Sequence, residues 1–317
     1  MLTRRAAVLS ALSAGACVST DSGGEPIDAR FANLTTLSES VHSGVSSDDG
    51  QLRLTMRLCR YPELGLAWIW MHARTPDGFF SYVDHLAPCG HHKTATENEN
   101  AFYNDWAAQL TFERLGRVDN PTQVTIRGAC FAQRSPVSAF GRGDKLLTTN
   151  VRFTPERLYS GLNRGRTEVF GRAEATVTID GKATQIEGPA QFHEQGQTNP
   201  RFTAPFCYMT LWGSGAASTM LIAPNRRDGY LLEGDRTTEV EDVTVDPPAA
   251  RRALRVKLAD GRTLEGEASV VQAYTIPLVG RTWRGHMMNV TLGDREYRGH
   301  INDYIIGAGV PYAGATG

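Results

Sequence analysis

Residues 188 to 202, "GPAQFHEQGQTNPRF", set His193 and Glu194 side by side. An imidazole next to a carboxyl is a pair that general acid–base chemistry draws on, provided both can reach one reacting group. The segment follows a hairpin, and a regular strand would put Ile186, Phe192 and Glu194 on one face and Glu187, Gln191 and His193 on the other. In that case the two could not serve one cavity. Gly196, Pro200 and Pro205 point to a break or bulge that would bring them together. The bland reading is an exposed polar loop.

A second polar group lies in "YVDHLAPCGHH", where Asp84, His85, Cys89, His91 and His92 fall close together. Their spacing fits none of the usual paired zinc ligands, so an exposed loop is expected and no metal. Asp84 and His85, at the end of the central apolar strand, are placed to line a pocket mouth. A third group, "RGHINDYIIG", holds His300, Asp303 and Tyr304, with His286 upstream. In a closing strand Asp303 would face the same interface as Glu194, although no spacing rule demands it. The sequence has no G-x-S-x-G elbow, no phosphate-binding glycine loop and no H-E-x-x-H helix, which disfavours cofactor-dependent chemistry.

The elements that must position these groups are strands. Alternating runs flank Asp180-Gly181, Asp260-Gly261 and Gly293-Asp294, dipeptides suited to tight hairpin turns. "QLRLTMRL" alternates as well, while "LAWIWMHARTPDGFF" is apolar on both faces and reads as a central strand turning at Asp77-Gly78. "ENAFYNDWAAQLTFERLG" fits either helix or strand, and its neighbours favour strand. The Gly- and Arg-rich stretch around residues 155 to 168 is expected to connect two all-β domains, 45–160 and 161–317, each a barrel or sandwich of ~8 to 10 strands.

With 33 Lys and Arg against 34 Asp and Glu, the 317-residue chain has no basic field for nucleic acid. Residues 1–16, "MLTRRAAVLSALSAGA", have paired arginines, an apolar run too short to span a bilayer, and small residues at the end. That is an export signal of twin-arginine type, which sends the protein to the periplasm. Cys17 then either carries the lipid of a membrane-anchored lipoprotein or is incidental after plain cleavage, with 17–44 a flexible tether. Cys59, Cys89, Cys130 and Cys207 could form two disulfides or remain thiols.

The hairpin, then "GPAQFHEQGQ", then "FCYMTLWGSGAASTMLIAP", resembles the second domain of the hydroxyneurosporene synthase and AttH-like superfamily, and "CRYPELGLAWIWMHARTPDGFFSYVDHL" resembles its first. Phe192-His193-Glu194 and Trp212-Gly213 match that group's motifs; Gln197 stands about where the group often has Trp. The resemblance implies two tandem lipocalin-like domains and cofactor-free, proton-driven work on a terpenoid or polyene alkene: hydration, isomerisation or cyclisation. Glu194 would protonate the alkene and His193 would position it or relay the proton. Tyr208 and Trp212 would face the carbocation, with Phe192, His85, Tyr304 and Trp70 against the substrate. The alternative is a non-catalytic carrier of an apolar small molecule.

Overall fold

The computed structural model describes residues 38–306 apart from 89–100, 105–107, 118–119, 135–142, 161–165, 199–201, 203 and 279–280. The expected export signal, Cys17, Cys89, His91 and His92 lie outside the described residues. The described part is antiparallel β-structure with one short 3-10 turn, Pro62–Leu64.

Ten strands make the first sheet: β1 (Ser38–Ser46), β2 (Arg53–Tyr61), β3 (Leu66–Thr75), β4 (Gly78–Pro88), β5 (Ala101–Asn104), β6 (Ala108–Arg117), β7 (Asn120–Arg134), β8 (Lys145–Ser160), β9 (Arg166–Ile179) and β10 (Lys182–Gln197). Their order is β4-β3-β2-β1-β10-β9-β8-β7-β6-β5, and a pairing of β4 with β7 at Phe80–Arg134 and Ser81–Gln133 curls the sheet round on itself. Eight more strands close a barrel in chain order: β11 (Phe206–Gly213), β12 (Ala216–Ala223), β13 (Arg226–Glu233), β14 (Arg236–Val245), β15 (Arg251–Leu258), β16 (Thr263–Leu278), β17 (Arg281–Leu292) and β18 (Arg295–Ile306), which returns to β11. Two tandem lipocalin-like units, all β, account for this arrangement.

Local chemistry explains the hairpins. At Asp180-Gly181 both residues take positive φ, 46° and 87°, between the paired Ile179 and Lys182, as a two-residue turn requires. Gly293, with φ 62°, opens the turn between Leu292 and Arg295. Strand β15 alternates exposed Arg251, Ala253, Arg255 and Lys257 with buried Arg252, Leu254, Val256 and Leu258. The segment that fitted helix or strand forms β5 and β6 wherever it is described.

Each unit has its own apolar core. Leu54, Met56 and Leu58 from β2, Ile69 and Met71 from β3, Phe112, Phe153 and Phe192 pack inside the first sheet. Met209, Leu211, Leu231, Val256, Met288 and Ile301 pack inside the second barrel. A third cluster joins the two units through Trp68, Trp70 and Phe79 on one side and Tyr274, Met287 and Tyr304 on the other. Cys59, Cys130 and Cys207 are buried as thiols.

Three expected boundaries fall elsewhere. Residues 38–44, expected in the tether, are most of β1 and pair with both β2 and β10. Residues 155–160 are strand rather than linker, because Pro155 sits at a bulge in the pairing of β8 with β9, where its missing N–H costs no ladder bond. Strands β9 and β10, expected in the second unit, hydrogen-bond into the first sheet. The chain passes between the units after Gln197 and before Phe206.

Inside the second barrel, Arg252 clamps Asp303 with Nη1 to Oδ2 at 2.7 Å and Nη2 to Oδ1 at 3.0 Å, both side chains fully enclosed. Removing either partner strands a charge in an apolar interior, at a cost of about 3–5 kcal/mol. Arg252→Met and Asp303→Leu should each lower urea-unfolding stability by that order, and the double substitution should recover much of the loss. A double variant as unstable as the sum of the singles would remove the pair as a unit.

Candidate functional site

The two units meet outer face to outer face. Alternation puts His42 of β1, Thr55 and Arg57 of β2, Trp70 and His72 of β3 and His193 of β10 outside the first sheet, and these form one wall of a cleft. Tyr208 and Thr210 of β11, Tyr274 of β16, Trp283 of β17 and His300 and Asn302 of β18 form the other. The cleft encloses about 530 Å³ of empty space, its open mouth included.

Its polar groups are held by cross-strand neighbours. His42 stands opposite His193 in the β1–β10 ladder, and their rings stack with centroids 5.1 Å apart. Between them reaches Gln191, with Oε1 3.0 Å from His42 Nδ1 and Nε2 3.0 Å from His193 Nδ1. His300 presents an edge to His42 at 6.0 Å and packs on Trp212 at 5.2 Å. Trp212 can approach because residue 44 is glycine: a Cβ there would lie 2.7 Å from its ring. His72 stacks on Tyr274 at 4.4 Å. The Arg57 guanidinium lies 4.6 Å above the Trp70 ring, which meets Trp283 at 5.3 Å.

Burial decides the charge of this site. Desolvation lowers the pKa of His42 and of His72 to about 3 and that of His300 well below its usual value. These three imidazoles are therefore neutral near pH 7, acting as hydrogen-bonding groups and not as cations. At the rear of the cleft Glu168 of β9 accepts Tyr208 Oη at 2.9 Å and Tyr230 Oη at 2.6 Å, and Arg166 Nη2 stands 2.5 Å from it. One carboxylate of the first sheet thus binds two tyrosines of the second barrel. Among the described residues no three of His, Cys, Asp and Glu are placed to hold a metal ion.

The ten residues singled out by sequence separate into three groups. His193, Tyr208 and Trp70 line the cleft. His85, Trp212 and Tyr304 stand behind its walls. His85 Nε2 accepts Trp70 Nε1–H at 2.8 Å, since alternation along β4 puts His85 on the outer face with Phe79 and Val83. Tyr304 donates to the Phe202 carbonyl at 2.9 Å within the aromatic cluster beside Trp283. Glu194, Phe192 and Asp84 point into the first sheet, and Asp303 into the second barrel.

The expected meeting of Glu194 with His193 does not occur. Strand β10 keeps unbroken register with β1 and β9 through both residues, so the irregularity expected from Gly196 and the two prolines begins only beyond the pair. Glu194 is ion-paired to Arg114 of β6, and Phe192 packs with Phe112 and Phe153 instead of a substrate. Asp84 accepts Tyr82 Oη at 3.2 Å. Asp303 and Glu194 therefore share no interface, since each is enclosed by its own unit. Sequence reasoning missed His42, Arg57, His72, Tyr274, Trp283 and Asn302 as site residues. The available signal was that polar residues alternate with core residues in β1 and β2, a pattern that reads equally as a solvent face.

Two antiparallel lipocalin-like units joined by a lined cleft define the class. The chain shares this fold with CghA, crystallised with Sch210972, at a TM-score of 0.56 and 10% identity, over 86% of this chain and 89% of that one. It also shares it with a protein provisionally assigned as an AttH from Nitrosomonas europaea, at a TM-score of 0.54 and 11% identity, over 90% and 98% of the two chains. At such identities the likeness concerns fold, and it is the fold that the resemblance to the AttH-like superfamily implies. No protein-family model and no curated protein sequence matches the chain.

The buried groups also set the pH response of stability. Folded-state pKa values of about 3 for His42 and His72 lie below the unfolded value of 6.5, so their stabilising contribution is present above that pH and is lost as pH falls. Glu194 acts in the opposite sense. Burial raises it from 4.5 to about 7 against the pull of Arg114, so its contribution is present below pH 4.5 and is lost as pH rises through 7. With more than one histidine against one carboxyl, urea-unfolding stability should rise from pH 4.5 to 7. In Glu194→Gln that rise should be steeper by up to ~3 kcal/mol. An equal slope in the two proteins would remove the raised carboxyl.

Proposed function

We propose that the cleft between the units is the active site of a cofactor-independent enzyme that takes up an apolar terpenoid or polyene with an oxygen function and isomerises, cyclises or hydrates it. The observation carrying this reading is the cleft itself, with Trp70, Tyr274 and Trp283 as walls and neutral imidazoles as polar contacts, while each unit has an apolar core of its own. Aromatic walls fold and shield a flexible apolar chain, and a few fixed polar groups set its orientation. The crystal structure of CghA with Sch210972 supports ligand uptake by this architecture.

The site's electrostatics favour orientation over strong-acid catalysis. Glu194 is inside the first sheet with Arg114, Asp303 is bound by Arg252, and Glu168 is committed to Arg166, Tyr208 and Tyr230. Proton transfer in the cleft then falls to His42 and His193, assisted by Tyr208. The same absence of an uncommitted carboxyl among the described residues of the cleft favours the second reading, a carrier that binds such a ligand without turnover. The proposal includes export, on the strength of the signal-like residues 1–16, with Cys17 as the residue that would take a lipid.

Calorimetric titration with β-ionone, a terpenoid enone, tests the site. Trp283→Leu should weaken binding about 10-fold, equivalent to ~1.4 kcal/mol, and Glu194→Gln should bind as tightly as the wild type. Unchanged affinity in Trp283→Leu would take the ligand out of the cleft. Lipophilic material retained through purification, identified by mass spectrometry and incubated with fresh protein, separates enzyme from carrier by whether it is converted.

A further inference from the structure

Gln191 is fully buried and takes no part in the chemistry assigned above, yet its carboxamide lies between the two stacked imidazoles. An amide oxygen only accepts hydrogen bonds and an amide nitrogen only donates them, while a neutral imidazole carries one N–H and one lone pair. Oε1 at 3.0 Å from His42 Nδ1 therefore requires the proton of His42 on Nδ1. Nε2 at 3.0 Å from His193 Nδ1 requires a lone pair there, which puts the proton of His193 on its own Nε2. Rotating the amide end over would exchange the roles of the rings but could not make them alike.

We infer that Gln191 is a positioning residue that holds His42 and His193 in opposite tautomers, so that the cleft presents one ring as a proton acceptor and its stacked neighbour as a donor. Two identical side chains at 5.1 Å separation thereby become a complementary pair. Such a pair suits a ligand with an acceptor oxygen beside a proton donor, as in a hydroxy-ketone or an enol. That specificity rests on the cleft being the working site, whereas the tautomers do not. Geometry supports the device: Gln191 and His193 are two residues apart on one face of β10, opposite Gly44 and His42 of β1, so short cross-strand distances hold all three groups. Low pKa in His42 keeps its ring neutral, as a tautomer requires.

Long-range proton–nitrogen NMR of the full chain labelled with ¹⁵N in its imidazoles reads each tautomer directly, with signals assigned through His42→Gln and His193→Gln. The wild type should show His42 protonated on one nitrogen and His193 on the other. Like tautomers in both rings would overturn the inference while leaving β-ionone binding untouched. In Gln191→Met, similar in volume but without either hydrogen bond, at least one ring should change to a mixture of tautomers; two unchanged patterns would remove Gln191 as the cause. Should that variant fail to fold, the wild-type spectrum still decides whether the rings are opposite. Opposite tautomers in a protein that binds no terpenoid would support the tautomer assignment and count against the binding reading alone.

Discussion

The burial of both faces of β1, β2, β3 and β10 is the constraint on which the rest of the structure depends. Their inner faces pack inside the first sheet, and their outer faces press on β11, β16, β17 and β18. A sheet face covered in this way must find partners for every polar group it carries, since each one left unsatisfied costs about 1–3 kcal/mol. Several are met across the seam. Arg53 Nη2 donates to the Met288 carbonyl at 2.9 Å, Arg298 Nη2 donates to the Asp48 carbonyl at 2.8 Å, and Glu168 accepts both tyrosines. Polar groups on the outer face thus hold the units in one relative position, and the same face supplies the cleft.

The interiors hold their charges in opposed pairs, and the carboxylates of those pairs are kept out of the cleft. Arg114 with Glu194 and Arg252 with Asp303 are enclosed within their own units, each carboxylate on the final strand of its unit and each arginine on another strand. Both pairs are removed from the seam by the alternation of β10 and β18, which sends odd and even positions to opposite faces. Among the described residues, the polar groups of the cleft are imidazole, amide, hydroxyl and the Arg57 guanidinium lying over an indole. In a dry environment such groups orient a ligand through directed hydrogen bonds, and their geometry decides more than their acid strength.

Hairpin positions were legible in the sequence because two-residue turns need particular residues, and Asp180-Gly181 and Gly293-Asp294 supply them. The double-faced burial of β3 was legible as well, in the unbroken apolar run that contains Trp68, Ile69, Trp70 and Met71. The unit boundary was not. A glycine- and arginine-rich stretch resembles a linker, yet its described residues are the bulged end of β8 and the start of β9. The site was half legible: His193 and Tyr208 stood in the right strands, but the adjacency of His193 and Glu194 in sequence was misleading, since neighbours in a strand face opposite ways. His42 could not be read at all, because its strand gains meaning only from two partners, one of them about 150 residues distant.

That distance bears on how the site comes into being. His42 belongs to the first described strand, and β1 lies between β2 and β10, so the imidazole pair forms only when the first and last strands of that unit pair. Gly44, two residues on, admits the Trp212 ring, which carries His300 toward His42 from the other unit. Three chain segments remote in sequence therefore converge on one strand with room for a single ring. A Cβ at position 44 would meet both Trp212 and His300, so the packing of β1 and the docking of the second barrel meet at this glycine. The cleft is a property of the docked pair of units, and neither interior contains it.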